Sequence, residues 1–233
     1  VSKATQFVER SQVFQTQLNE YQTSLNTQVQ KQVDQINDIV GKIKDLNGEI
    51  RKYESNGQSA NDYRDKRNLY LDQLGEMIKF DVNEEKDGTI SIYSESGFLL
   101  DSSNQYFLKT EYISDQERLL KPVWVSGGDF FNQDSLQYSS DKKTDIGSLR
   151  GLMVARGNYA ANATDMITRP QAEDYATDEE YQKAMRAFEK DLDKYNDTVG
   201  ASIVMQTQVQ VDTLVHKIVT AVNDALSPLK TVT

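Results

Sequence analysis

Residues 18–53 read LNEYQTSLNTQVQKQVDQINDIVGKIKDLNGEIRKY, and their spacing decides the fold. With Gln22 placed at an a position, the a and d sites of successive heptads are Leu18, Gln22, Leu25, Val29, Gln32, Ile36, Ile39, Ile43, Leu46, Ile50 and Tyr53. All but the two glutamines are apolar, which selects a packed helix over a disordered polar tract. Val33 and Val40 widen the stripe, so the helix meets more than one neighbour. Gln22 and Gln32 interrupt the seam and are expected to fix its register at some cost in stability. The pattern extends outward to about Lys3 and Glu54, with Phe7, Phe14 and Tyr21 repeating every seven residues on an adjacent line.

The other end of the chain carries a matching stretch. Thr177 and Glu180 have capping-box spacing, and Tyr181, Met185, Phe188, Leu192, Tyr195, Val199, Ile203, Val211, Val215, Ile218, Val222 and Leu226 follow as an apolar line. Near Gly200 the alternation of fours and threes becomes successive fours, the mark of a stutter in a continuous coiled coil. Pro228 is expected to close the helix. Each arm would be on the order of 75 Å long, and side by side the two bury stripes that neither can bury alone.

Between the arms, Asn56-Gly57 signals a turn. Ser59 and Asp62 again have capping-box spacing and open a helix running to about Lys79, whose inward face is Tyr63, Tyr70, Leu71, Leu74, Met77 and Ile78. Alternation at Ile78, Phe80 and Val82, then at Ile90 and Ile92, flanks a hairpin turn at Lys86-Asp87-Gly88. Further strands are expected near Gly97 to Asp101, Tyr106 to Ile113 and Leu119 to Val125, the last held to an edge or bulge by Pro122. Residues 126–141 receive no assignment. A short helix is expected from about Asp145 to Arg156, with Ile146, Leu149, Leu152 and Met153 on one side and Gly157 as its C-cap. Residues 158–176 read as an irregular excursion.

Composition narrows the function. The chain has 233 residues, 37% of them hydrophobic, a net charge of −10 and no cysteine. Phosphate recognition needs clustered Lys and Arg, and here they are interleaved with acids, so nucleic acid is excluded as a partner. No apolar run approaches the roughly 18 residues that span a bilayer, and the N-terminus lacks a secretory signal. It starts inside a helical pattern, as a fragment of a longer protein would. His216 is the only histidine and sits among Val215, Ile218 and Val219, a packed or flanking position; nucleophilic triads and zinc sites lack their usual parts. Asn83 to Gly88 has the start of a calcium loop, but Ser94 stands where the bidentate Glu belongs. Asp62, Asp65 and Arg67 have two readings: charge-assisted hydrogen bonds joining neighbouring elements, or a solvated first turn with Asp62 serving the cap. No enzyme, metal or cofactor follows from these residues.

The run from Asn61 to Leu74, an Asn-Asp pair, a spaced Asp-x-Arg and then leucines, resembles the flagellar hook-associated protein 1 family, which joins hook to filament. The hairpin Glu84 to Ile90 with Gly97-Phe98-Leu99-Leu100, the segment Gly147 to Arg156, and Gln210 to Leu226 are similar to the family in the same order. The resemblance covers about residues 1–112 and 146–226, with Asn68 and Gly75 departing from the pattern.

It implies a structural protein exported by the flagellar type III apparatus and assembled outside the cell as a ring of subunits, required for filament assembly. Its implied partners are the hook protein, neighbouring junction and filament proteins, other copies of itself, and an export chaperone acting through a C-terminal helix absent from this sequence. An isolated fragment would be a monomer. A sister axial protein, flagellin or the second junction protein, and a periplasmic helical ligand-sensing domain are the alternatives.

The expected fold is α+β, mainly α: residues 1–79 and 145–233 as a helical rod, residues 80–144 as an inserted β-rich domain. The residues expected to carry interactions are Asn61, Asp62, Asp65, Arg67 and Leu74, with Ile36, Ile39, Ile43, Leu46 and Ile50 on the first arm and Phe188, Leu192 and Val199 on the second.

Overall fold

The computed structural model describes residues 2–95, 97–131 and 146–227. It is an α+β fold, mainly α. Helix α1 (Ser2–Ser55) is followed by α2 (Asn61–Met77), strands β1 (Asp81–Glu84), β2 (Ile90–Ser94), β3 (Gly97–Leu100), β4 (Leu108–Tyr112) and β5 (Leu120–Trp124), then α3 (Ser148–Arg156), α4 (Asp178–Asp197) and α5 (Ile203–Leu226). The chain divides into two compact units, Leu25–Val154 and Val1–Ser24 with Ala155–Thr233.

In Leu25–Val154 the apolar stripe of α1 is the spine of the core. Val29, Val33, Ile36, Val40, Ile43 and Ile50 are all but completely buried. From Val29 to Ile43 the stripe shares one cluster with Leu74, Met77 and Ile78 after it, Ile90, Ile92, Leu99, Leu100 and Leu108 from the strands, and Leu149 and Met153 of α3. Helical and β-patterned residues therefore fill one core. α1 ends where Gly57 takes φ +75: Gly57 N–H reaches Glu54 O at 3.0 Å and Gln58 N–H reaches Tyr53 O at 3.1 Å, the paired bonds of a Schellman stop.

β1, β2 and β3 form an antiparallel sheet in that order, and β4 pairs with β5 as a separate two-stranded sheet. The β1–β2 hairpin is in register from Asp81↔Tyr93 to Glu84↔Ile90, with Gly88 at φ +78 in its turn. Pro122 lies opposite Thr110 in the two-stranded sheet, at a pair that makes no bond across the ladder, so the ladder loses nothing to a residue that cannot donate. Trp124 stacks edge-on against Phe130, and Phe130 against Phe131. The Arg150 guanidinium lies 4.4 Å from the Phe131 ring centre.

In the other unit the start of α1 and the end of α5 run antiparallel. Ala4 and Val8 line a groove with Ile218, Val222 and Leu226, while Asn19 of α1 accepts a 3.0 Å bond from the Gln208 amide. Gln22 is buried. Its amide donates to the carbonyls of Arg156 at 2.9 Å and Tyr159 at 3.1 Å, so this break in the seam anchors irregular backbone. Gln32, in Leu25–Val154, donates to Ser148 Oγ at 2.8 Å.

The second arm is not one stuttering helix. It stops at Asp197 and restarts at Ile203. Gly200 weakens the helix interior, Gly200 N–H turns back to Tyr195 O at 2.8 Å, and Ser202 Oγ accepts from Met205 N–H as the cap of α5. That hydroxyl also donates to Ala155 O at 2.9 Å, so the restart is tied to the end of α3. Thr177 caps α4 by accepting from Glu180 N–H at 3.2 Å. The excursion before it contains two short 3₁₀ turns, Ala163–Asp165 and Ala172–Asp174. The short helix starts at Ser148, three residues later than expected, because Gly147 turns the chain at φ +95; Ile146 is exposed. Asp145 and Pro228 lie outside the described residues.

Candidate functional site: an arginine clasp at the hairpin

A cluster of charged side chains lies where the last turns of α1, the first turns of α2 and the β1–β2 hairpin meet. Arg67 is its centre. Its side chain is only 4% exposed, and Nη1 donates to Gly88 O at 2.7 Å and to Asn47 Oδ1 at 3.0 Å. Nη2 stands 3.6 Å from Glu84 Oε1. Burial pushes this guanidinium below its usual range, against the opposing pull of Glu84; no accessible pH removes the charge.

One turn earlier on α2, Arg64 forks onto Glu54 of α1, Nε to Oε1 at 2.7 Å and Nη2 to Oε2 at 2.9 Å, while its Nη1 bonds Glu84 of β1. Bidentate guanidinium–carboxylate pairs are the stronger kind because two bonds fix one plane. Glu54 is held below the ordinary carboxylate range by that bond, and Arg64 is raised by the two acids. Arg51 donates to Asp87 Oδ2 at 2.8 Å and to Ser102 O at 3.1 Å. Asp87 Oδ1 accepts from the Thr89 hydroxyl at 2.7 Å and amide at 3.1 Å, which lowers its carboxyl. The hairpin can lie this close because residue 88 is glycine: a Cβ there would stand 2.8 Å from Arg64 Nη2 and 3.0 Å from Ile50 Cγ2.

Three arginines and three carboxylates thus cross-link two helices and a hairpin. Each carboxylate is paired with at least one of the arginines, so the arrangement holds elements together. Among the described residues no three His, Cys, Asp or Glu side chains are placed to hold a metal ion, and no helix is long and apolar enough to cross a membrane.

Of the residues singled out from sequence, Arg67 lies in the clasp. Asp62 and Asp65 are exposed and outside it. Asp62 does not cap α2: Ala60 is the N-cap residue with no side-chain bond, and Ser59 Oγ is engaged with Asn61 Oδ1 at 2.8 Å. Leu74, Ile36, Ile39 and Ile43 belong to the core cluster, Ile50 is buried and Leu46 half-buried. Val199 packs with Ala161, Met205 and Val209 in the other unit, where Phe188 and Leu192 stay half-buried. Sequence reading passed over Arg64, Glu54 and Asn47. Arg64 precedes Arg67 by three residues on the same face of α2, a visible signal; Asn47 follows the d site Leu46, a flank of the seam where a polar residue reads as solvent-facing surface. His216 is an exposed flank, with Nδ1 3.1 Å from Asp212 O.

Residues 1–228 match the family model described as the flagellar hook-associated protein FlgK helical domain. Among solved structures, the flagellar hook junction protein FlgK from Burkholderia pseudomallei is similar at 25% identity, with a TM-score of 0.46 over 64% of this chain. The similar part amounts to 26% of that protein's chain. Comparison with curated proteins finds no match.

Proposed function

This chain belongs to the family of flagellar hook-associated proteins defined by the FlgK helical domain, and we propose that it is a subunit of the ring that joins hook to filament. The observation that carries this reading is the extent of the family match, which runs from residue 1 to residue 228. The family is one of structural flagellar proteins. The clasp fits a structural part: Arg67, Arg64 and Arg51 brace two helices and a hairpin against one another.

The mechanism is surface complementarity between rigid subunits, with no reaction centre. Residues 1–79 and 145–233 supply the helical surfaces, residues 80–144 the β-rich one, and the partners are hook protein, neighbouring junction and filament proteins, and further copies of the same protein. It works outside the cell after type III export. Deleting the gene in its host tests this. The expected result is motility loss, with hooks intact and filament protein shed into the medium, restored by the full-length gene. Normal filaments on the deletion strain's hooks would refute the junction role.

A further inference from the structure

Asn26, Asn37 and Asn47 of α1 are spaced by eleven and ten residues. Three helical turns take about 10.8 residues and rise about 16 Å, so the three amides stand on one face at regular intervals. Each reaches the first residue of a different strand. Asn47 Nδ2 donates to Ile90 O at 2.8 Å and Oδ1 accepts from Ile90 N–H at 3.2 Å. Asn37 does the same with Leu108, at 2.8 Å to its carbonyl and 2.9 Å from its amide. Asn26 accepts from Leu120 N–H at 2.7 Å and donates to Arg118 O at 3.3 Å.

A carboxamide carries the donor and acceptor of a peptide group, so it can take the place of a neighbouring strand. The ladder explains why one is needed here. In an antiparallel pair, residues alternate between bonding across the ladder and turning both backbone groups away from it. Glu85 N–H bonds Thr89 O at 2.8 Å, and Val125 N–H bonds Phe107 O at 2.9 Å. The next pairs, Glu84↔Ile90 and Leu108↔Trp124, are therefore of the unbonded kind, with Ile90 and Leu108 facing outward. Buried outward-facing amides must find partners, and α1 supplies them.

We propose that Asn26, Asn37 and Asn47 are positioning residues that act as three surrogate strand edges and set the axial register of both sheets on α1. A two-stranded sheet is marginal by itself, so β4–β5, which meets two of the three amides, depends on them most. The device goes beyond the family reading: it makes α1 from Asn26 to Asn47 and the strand starts one body, whatever that body assembles with.

Residue-resolved amide hydrogen exchange on the full chain tests it with N26A, N37A and N47A. The expected pattern is diagonal. N37A speeds exchange at Leu108 roughly tenfold, the equivalent of about one net hydrogen bond, and leaves Ile90 and Leu120 as they were. N26A acts in the same way on Leu120, and N47A on Ile90. Should N47A fail to fold because the same amide also receives Arg67, the other two variants decide. Unchanged exchange at each partner amide, or equal acceleration of all three in every variant, would overturn the proposal.

Discussion

The unit Leu25–Val154 buries an apolar cluster that runs from Val29 on α1 through the strands to Met153 on α3. The unit of Val1–Ser24 with Ala155–Thr233 gathers Ala161, Val199, Met205 and Val209, with Tyr159 and Tyr195 packed beside them. The first adds polar cross-links to an extensive core. The second has a smaller apolar cluster and also anchors its irregular backbone with amides: Gln22 on the carbonyls of Arg156 and Tyr159, and Gln208 accepting from Ala161 N–H at 3.1 Å. Helix α4 sharpens the contrast, because it has no buried residue although Tyr181, Met185, Phe188 and Leu192 line one face. One helix, α1, serves both units; what differs is how much apolar surface its neighbours bring to it.

Substitutions at matched positions measure that difference. Gly147→Ala has the largest expected effect, roughly 3 to 5 kcal/mol of lost stability, from backbone strain at φ +95 and a Cβ forced to 2.5 Å from Met77 O. Its counterpart Gly157→Ala, at φ +78, meets the Met205 and Ser202 side chains rather than backbone, and should cost less when both variants are unfolded in urea. Leu74→Ala, at a completely buried site, should cost about 3 kcal/mol, against roughly half that for the half-buried Phe188→Ala. Equal losses at Leu74 and Phe188 would break the comparison.

The clasp comes next. Arg67→Met strands Gly88 O and weakens the hold on Asn47, at an expected cost of about 2 kcal/mol, while Asp65→Asn should lie within about 0.5 kcal/mol of the parent. Thermal melts of the two variants decide between a bracing Arg67 and a merely solvated one.

The smallest effect is acid sensitivity. Glu54 is lowered by Arg64, Asp87 by Thr89, and Asp101 to about 2 by the amides of Ser103 and Asn104. A carboxyl depressed in the fold contributes stability above its ordinary range and loses that contribution as pH falls through its folded value. The melting temperature should therefore fall as pH drops from about 4 to about 2. Asp101→Asn should flatten the lowest part of that profile, and an unchanged slope would remove Asp101 from the explanation.

Much of this architecture was legible in the residues. The stripe from Leu25 to Ile50 is buried as its spacing required except at Gln32 and Leu46, which are half-buried, and Lys86-Asp87-Gly88 turns the hairpin it announced. Gly200 was misread. A run of fours in the apolar line looks alike in a stutter and in a helix that stops and restarts, and only Ser202 as a cap separates them. The clasp was half legible: an Arg on α2 with acids nearby invites pairing, but its partners lie twenty residues away on α1 and twenty-one on the hairpin turn. Such long-range pairing leaves no local spacing to read. The asparagines of α1 were hidden for the opposite reason, since their period of three turns was present but a polar residue beside a seam looks like solvent-facing surface.

Trp124 is the chain's single tryptophan, buried in Leu25–Val154, and so its fluorescence follows that unit alone while far-ultraviolet circular dichroism follows the helices of both. Urea unfolding recorded with the two signals on one sample tests whether the units differ in stability as their cores do. The account predicts that ellipticity begins to fall at lower urea, as α4 and its neighbours melt, with Trp124 changing later. Superimposed transitions, or Trp124 exposed before the helices melt, would contradict it.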